Sequence, residues 1–200
     1  MISEYTRARL SEINKDRYEE SDKEFILEET EKEGRARYHL SISIPSLLFK
    51  KLDEKWGFDF LKRKKCADHI VFELKSADKC ALHIFELKRT ITKKTWLRIV
   101  EQYNGAYVRG EVIAAFLGLK IEKTTVNACF KEDKLKQCHE TITPRAEISD
   151  AKLRKALKIR SDEEIDLNCV GGIGGIHCVH KKNILYENGE GCLYGEGCLC

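Results

Sequence analysis

Two acidic residues and one lysine are spaced so that a pair of strands would bring them together. The residues around them read as a β-hairpin, with strands at His69–Lys75 and Ala81–Arg89 joined by a short link. Because side chains alternate between the two faces of a strand, Glu86 and Lys88 project from the same face. Asp68 opens the first strand, and antiparallel pairing places it beside Glu86 near the end of the second.

This grouping suits the hydrolysis of a phosphodiester bond. Two carboxylates at hydrogen-bonding range form a hard, oxygen-rich site for Mg²⁺ or Mn²⁺. Such a metal ion lowers the pKa of its water ligand and polarises a phosphoryl oxygen, and a neighbouring lysine stabilises developing negative charge. A second Phe-Glu-Leu-Lys sequence contains Glu73, but its odd-numbered step from Asp68 puts the two side chains on opposite faces. We therefore assign the site to the later copy, which contains Glu86.

The surrounding sequence predicts the elements that would position this site in a mixed α/β sheet flanked by helices. Alternating apolar residues indicate a strand that Pro45 ends, and Ser46 is a residue type that caps helices. After the hairpin, apolar residues from Trp96 to Tyr107 recur at helical spacing and predict a helix. Besides the hairpin, we predict a strand at 38–44, a helix at 46–56, a short strand at 58–62, a helix along 96–107, strands at 112–117 and 124–130, and a helix at 150–159.

The motif and this order of elements are similar to those of a known superfamily. Asp68, followed after seventeen residues by Glu-Leu-Lys at 86–88, resembles the PD-(D/E)xK motif of the restriction-endonuclease-like nucleases. That superfamily has an α/β core of helix, three-stranded meander, helix and strand, which is similar to the order predicted over about residues 46–120.

The resemblance implies a role for each residue of the site. Asp68 and Glu86 would bind the metal ion, and Lys88 would assist catalysis. Two accessory residues are implied as well, namely Glu54 on the first helix and Gln102 on the helix after the motif.

Basic residues lie on both sides of the motif and could grip a phosphate backbone. One cluster immediately precedes Asp68, and another continues from the motif along one stripe of the next helix. For each cluster taken singly, a solvated charged face is the alternative. The candidate nucleic-acid-binding residues are Lys64, Lys65, Arg89, Lys94 and Arg98.

The last forty residues have a different texture. Five of the nine cysteines and eight of the thirteen glycines lie there, and glycine at this density favours a flexible loop or tail. Cys192, Cys198 and Cys200 are candidate zinc ligands, although no paired CxxC spacing is present. A disordered or redox-sensitive tail and packed thiols are the alternatives.

Composition and charge bound the class of protein. A chain of 200 residues fits one ordinary domain with additions. A net charge of +3 is too small to indicate a nucleic-acid partner by itself, so that argument depends on local clusters of basic residues. The N-terminus lacks the apolar stretch of a signal peptide, and no run of residues is long and apolar enough to span a membrane. We therefore expect a soluble, intracellular, cytoplasmic protein with no membrane partner.

These observations divide the chain into three parts. We expect a charged helical extension at 1–35, a nuclease-like domain at 36–160 and the Gly/Cys-rich tail at 161–200. The extension either packs on the core or serves as an arm for a homodimer.

The expected function is that of a metal-dependent nuclease acting on DNA rather than RNA, in repair, junction resolution, restriction or defence. The alternatives are a non-catalytic nucleic-acid-binding module with the same fold and a zinc-stabilised adaptor.

Overall fold

The computed structural model describes residues 2–30, 35–50, 52, 58, 61, 64–134, 164–166, 177–187 and 193–199. Within these residues the helices are α1 (Glu4–Leu10) and α2 (Lys93–Leu117), with a short 3-10 turn at Lys15–Arg17. The strands are β1 (Tyr18–Ser21), β2 (Glu24–Glu29), β3 (Ala36–Ser41), β4 (Ser46–Lys50), β5 (His69–Leu74), β6 (Lys79–Ile91), β7 (Lys120–Asp133), β8 (Glu164–Asp166), β9 (His177–Ile184), β10 (Tyr186–Glu187) and β11 (Leu193–Cys198). The mixed α/β class predicted from the sequence is confirmed.

The described strands form two sheets. The larger has the order β1-β4-β5-β6-β7-β9-β8, and the smaller has the order β10-β11-β3-β2. At the centre of the larger sheet, β4, β5 and β6 form an antiparallel meander, after which α2 crosses over and β7 pairs parallel to β6. The predicted hairpin and the strand at 124–130 are therefore present, the latter as part of a longer strand.

The larger sheet is covered on both faces. On one face, side chains such as Ile70 and Ile84 pack with α2, and on the other, side chains such as Phe85 and Leu87 pack with the smaller sheet. Side chains alternate between these faces, so Glu86 lies on the α2 face of β6. None of the described helices is long and apolar enough to cross a membrane.

Helix α2 is longer than predicted and includes a segment that was predicted as a strand. A capping box formed by Thr92 and Thr95 begins the helix, and Gly118 ends it with a φ of 70°. The strand predicted at 112–117 is wrong, because this segment forms the last turns of α2. Its apolar residues do not alternate, since Ile113 and Leu117 are buried four residues apart while the residues between them include exposed ones.

The helix predicted to begin at 46 is wrong as well. Residues Ser46–Lys50 form β4, which pairs with β1 and β5. Leu47 and Phe49 face α2, whereas Leu48 faces the smaller sheet, so the continuous apolar run reflects a strand buried on both faces. The side chain of Ser46 donates a hydrogen bond to the carbonyl of Ile44 rather than capping a helix.

Both ends of the chain supply strands. The predicted helical extension contains α1, but β1 and β2 follow it, and β2 shows the alternation of a half-buried strand, with Phe25 and Leu27 buried between exposed residues. The expectation of a flexible tail is wrong for the described residues of this region, because β9 extends the larger sheet and β11 pairs with β3 in the smaller one. The strand predicted at 58–62 is described only at Phe58 and Leu61, and the helix predicted at 150–159 lies outside the described residues.

Candidate metal and phosphate site

Asp68 and Glu86 are held side by side by the pairing of β5 with β6. His69 pairs with Phe85, so the preceding residue, Asp68, lies opposite Glu86. The Asp68 Oδ2 atom accepts a hydrogen bond of 2.8 Å from the backbone N–H of Leu87, and the Glu86 Oε2 atom accepts one of 3.2 Å from the backbone N–H of Asp68. Each carboxylate is thus fixed by the backbone of the neighbouring strand.

Lys88 lies two residues beyond Glu86, on the same face of β6, and completes the cluster. Its Nζ atom lies 2.6 Å from the Glu86 Oε1 atom. The Glu86 side chain is 0% exposed and the Lys88 side chain is 25% exposed, so the group opens to solvent on the lysine side. The structure therefore brings Asp68, Glu86 and Lys88 into one cluster on the α2 face of the sheet.

Burial controls the electrostatics of the cluster. Burial, followed by the charge of Glu86, raises the pKa of Asp68 well above its usual value, and burial likewise raises the pKa of Glu86. Burial alone would lower the pKa of Lys88, but the charges of the two carboxylates raise it overall. Two carboxylates facing one ammonium group leave a negative charge that a proton or a cation can neutralise.

Gln102 lies at the site, at the position where the sequence placed an accessory residue. Its side chain is buried, donates a hydrogen bond of 3.2 Å to the carbonyl of Cys66 and contributes to lowering the pKa of Glu86, against the larger effect of burial. Its Oε1 atom has no hydrogen-bond partner among the described residues. The Tyr103 side chain on the same helix is fully buried, and burial, then the charge of Glu86, raises the pKa of its phenol.

Four of the five predicted basic residues fall into two groups. Lys64 and Lys65 are exposed just before Asp68, and Lys65 forms an ion pair with Glu101. Lys94 and Arg98 are exposed in the first turns of α2, which follow directly on the end of β6.

Arg89 points in another direction. It lies one residue beyond Lys88, on the face toward the smaller sheet, and its Nη2 atom is 3.1 Å from the carboxylate of Glu187 in β10. Lys131 of β7 shares the same carboxylate. The structure therefore separates Arg89 from the cluster on the α2 face.

Glu73, in the competing Phe-Glu-Leu-Lys sequence, interacts with residues outside the cluster. The Glu73 Oε2 atom lies 3.2 Å from the His83 Nε2 atom, and the Lys75 Nζ atom lies 2.8 Å from Glu73 Oε1. The hydrogen bond from His83, together with Lys75, lowers the pKa of Glu73 to about 2 despite burial. Burial lowers the pKa of His83, so a neutral imidazole donates to a charged carboxylate.

A third carboxylate near the cluster was missed by the sequence reasoning. Glu29 ends β2 in the inward row that contains Phe25 and Leu27, and it is half-buried. Burial has the largest effect on both groups, and it raises the pKa of Asp68 but lowers that of Lys88. The negative charge of Glu29 raises both pKa values, by less than the nearer charges of the cluster change them. The alternation of apolar and polar residues over 24–29 could have identified Glu29 as facing inward. It could not have shown that Glu29 lies near Asp68.

His69, beside Asp68, was also overlooked. Its side chain is buried, and burial lowers the pKa of the imidazole to about 4. A neutral imidazole at this position adds no positive charge to the cluster.

Several candidates remain untested by the structure. Glu54, Cys192 and Cys200 lie outside the described residues, whereas Cys198 is exposed at the end of β11. In the part of the chain that the structure describes, no group of three or more His, Cys, Asp or Glu residues forms a metal cage. Asp68 and Glu86 would supply two oxygen ligands to a metal ion, which fits Mg²⁺, because that ion keeps several water ligands and is often held by one or two carboxylates.

The fold and the cluster define a mixed α/β protein with a buried pair of carboxylates beside a lysine. No protein-family model, curated protein or solved structure matches the chain.

Proposed function

We propose that the protein is a metal-dependent nuclease that uses Mg²⁺ or Mn²⁺ to hydrolyse phosphodiester bonds in nucleic acid, DNA rather than RNA. The observation that carries this proposal is the cluster of Asp68, Glu86 and Lys88, which forms where the start of β5 lies beside β6. The order of meander, helix and parallel strand supports a restriction-endonuclease-like core around it.

A purely structural ion pair explains the cluster less well. An ordinary Glu–Lys pair on a strand is exposed and contributes about 0–1 kcal/mol. Here Glu86 is fully buried beside a second carboxylate, so the group carries an unbalanced charge at a cost to folding. Raised pKa values in such a group are typical of sites that bind a cation or transfer protons.

Each side chain has a distinct task in the proposed reaction. Asp68 and Glu86 would hold the metal ion, which supplies an activated water ligand and polarises the phosphoryl group. Lys88, which is partly exposed, would stabilise negative charge on the scissile phosphate. Gln102 would help to position the segment before Asp68 through its hydrogen bond to the carbonyl of Cys66.

Exposed basic residues support a polyanionic substrate. Lys64, Lys65, Lys94 and Arg98 lie on the two segments that flank the cluster, namely the residues before β5 and the first turns of α2. Contacts to phosphate groups provide affinity without reading the base sequence.

The test is a cleavage assay with single-stranded, duplex and branched DNA and with RNA, each with Mg²⁺, Mn²⁺ or chelator. We expect cleavage of at least one DNA form that depends on the divalent metal and is slower for RNA. Binding of nucleic acid without cleavage of any substrate would favour the non-catalytic module instead. Absence of both binding and cleavage would overturn the proposal.

A further inference from the structure

Residues 64–67, which precede Asp68, lie directly on α2 and are hydrogen-bonded to it. The backbone N–H of Ala67 donates a hydrogen bond of 3.2 Å to the carbonyl of Gln102, whose side chain in turn donates to the carbonyl of Cys66. The Nη2 atom of Arg109 donates one of 3.2 Å to the carbonyl of Lys64. Helix α2 therefore fixes the backbone that leads into Asp68.

A glycine in α2 permits this close approach. A Cβ added at Gly105 would lie 1.8 Å from the carbonyl oxygen of Lys65, which is a backbone atom and cannot swing away as a side chain could. Arg109, one turn further along, is 3% exposed and also donates a hydrogen bond of 3.0 Å to the carbonyl of Gly105. The same arginine thus ties the helix to the segment before β5.

We infer that Gly105 and Arg109 are positioning residues for Asp68. They fix the position of residues 64–67 along α2. As a result, the Asp68 carboxylate accepts a hydrogen bond from the backbone N–H of Leu87 and lies beside Glu86. Metal sites require ligands to be held within about 0.5 Å of their working positions. The effect on a metal ion rests on the proposed function, whereas the effect on the hydrogen bond between Leu87 and Asp68 does not.

The experiment compares two glycine-to-alanine variants of α2. In Gly105→Ala the new methyl group meets backbone, whereas in Gly110→Ala it meets a terminal methyl group of Leu82 at 2.8 Å, which needs a smaller adjustment than a backbone atom does. Both changes have the same effect on helix propensity, so Gly110→Ala is a matched control. The readouts are Mn²⁺ affinity by calorimetry and the amide resonance of Leu87 in metal-free protein.

We expect Gly105→Ala to weaken Mn²⁺ binding by about 10- to 100-fold and to shift the Leu87 amide resonance, with Gly110→Ala close to wild type. Equal losses in the two variants, or an unchanged Leu87 resonance in Gly105→Ala, would overturn the inference. If Gly105→Ala does not fold, Arg109→Lys is measured in the same way, and wild-type readings from that variant would overturn it too.

The two proposals fail in different ways. If wild-type protein does not bind Mn²⁺, the proposed function fails, and the Leu87 resonance still decides the role of Gly105 and Arg109. If wild-type protein binds Mn²⁺ and both readouts are unchanged in Gly105→Ala, only the positioning role is lost.

Discussion

At the scale of single residues, the Asp68–Glu86 pair combines good hydrogen bonding with poor charge balance. Backbone N–H groups hold both carboxylates, yet burial raises both pKa values, and the charge of Lys88 offsets this effect in part. Sites of this kind sacrifice stability for function, because the arrangement that suits a metal ion is unfavourable without one. Two substitutions separate these contributions.

Glu86→Gln should reduce metal-dependent cleavage by at least about a hundredfold, the scale on which loss of one transition-state contact is measured. Affinity for DNA in Ca²⁺ should stay near that of wild type, because the change removes a carboxylate rather than a phosphate contact. Glu73→Gln is the matched control, since it alters the same tetrapeptide in a copy that pairs with His83. Cleavage by Glu86→Gln at the wild-type rate would show that the site is wrongly assigned.

Asp68→Asn should stabilise the metal-free protein at neutral pH by about 1 kcal/mol, because it removes a carboxyl group whose ionisation is opposed by burial and by Glu86 in the folded state but not in the unfolded chain. The folded-state pKa of Asp68 is raised above the unfolded value of about 4, so the folded state keeps its proton over a pH range where the unfolded state loses it. The stability from this group is therefore present below about pH 4 and is lost as the pH rises through the folded-state pKa.

Denaturant unfolding in chelator at about pH 4 and about pH 8 measures this difference. The gap between Asp68→Asn and wild type should be small at the lower pH and larger at the higher one. A variant less stable than wild type at the higher pH would mean that the carboxylate of Asp68 stabilises the fold.

At the scale of elements, α2 serves several purposes at once. Its buried face packs on the sheet, its middle turns hold the segment before Asp68, and its first turns expose Lys94 and Arg98. A capping box fixes the start of the helix right after β6, the strand that carries Lys88. The first turns of α2 should therefore contribute to affinity rather than to chemistry.

Arg98→Ala should weaken DNA binding for all sequences and reduce the slope of log affinity against log salt by about 1, because one fewer counterion is released. Arg37→Ala is the control, since Arg37 is 60% exposed on the smaller sheet, where it pairs with Glu28. Fluorescence anisotropy over a range of salt concentrations gives both slopes. Equal effects of the two substitutions would argue against a binding role for α2.

Strand β11 shows why glycine can be suited to a strand. A Cβ added at Gly197 would lie 1.9 Å from the hydroxyl oxygen of Tyr38, and one added at Gly195 would lie 2.9 Å from the same ring. Tyr38 is buried and pairs with Gly195 across the parallel ladder. The two glycines therefore make room for the aromatic ring.

Gly197→Ala should destabilise the protein by about 1–3 kcal/mol, since the ring has to move. Tyr38→Phe removes the closest atom, so the double variant should recover part of the loss, with a coupling of about 1 kcal/mol. Thermal unfolding of the two single variants and the double variant measures this coupling. Strictly additive effects would mean that Tyr38 does not lie on Gly197.

At the scale of the whole molecule, residues 177–187 and 193–199 contribute strands to both sheets. Strand β9 lies beside β7, Leu185 donates its backbone N–H to Phe130, and β11 then pairs with β3 in the other sheet. Leu185 and Leu199 are both buried in the core between the sheets. These two described segments are therefore part of the fold, although the composition of this region resembles that of a linker.

A chain truncated after residue 176 should lose the cooperative unfolding transition or melt at a much lower temperature. The truncation removes β9 and β11 and leaves strand edges that favour aggregation. Calorimetry and size-exclusion chromatography of the truncated and full chains test this expectation. An unchanged melting temperature would show that the segment contributes little to stability.

The sequence by itself determined the local part of the site. The hairpin of β5 and β6 has a short link and regular alternation, so its pairing could be inferred, and with it the proximity of Asp68 to Glu86. Helix α2 was partly predicted for the same reason, because its buried stripe repeats at helical spacing.

Only the tertiary structure decided the rest. The apolar run in β4 and the last turns of α2 were assigned to the wrong element, because short apolar runs fit a buried helix and a buried strand equally well. The pairing of β11 with β3, the approach of Glu29 and the contact at Gly105 join residues far apart in the chain. Such contacts depend on which surfaces the folded layers bring together, and no local pattern of residue types specifies them.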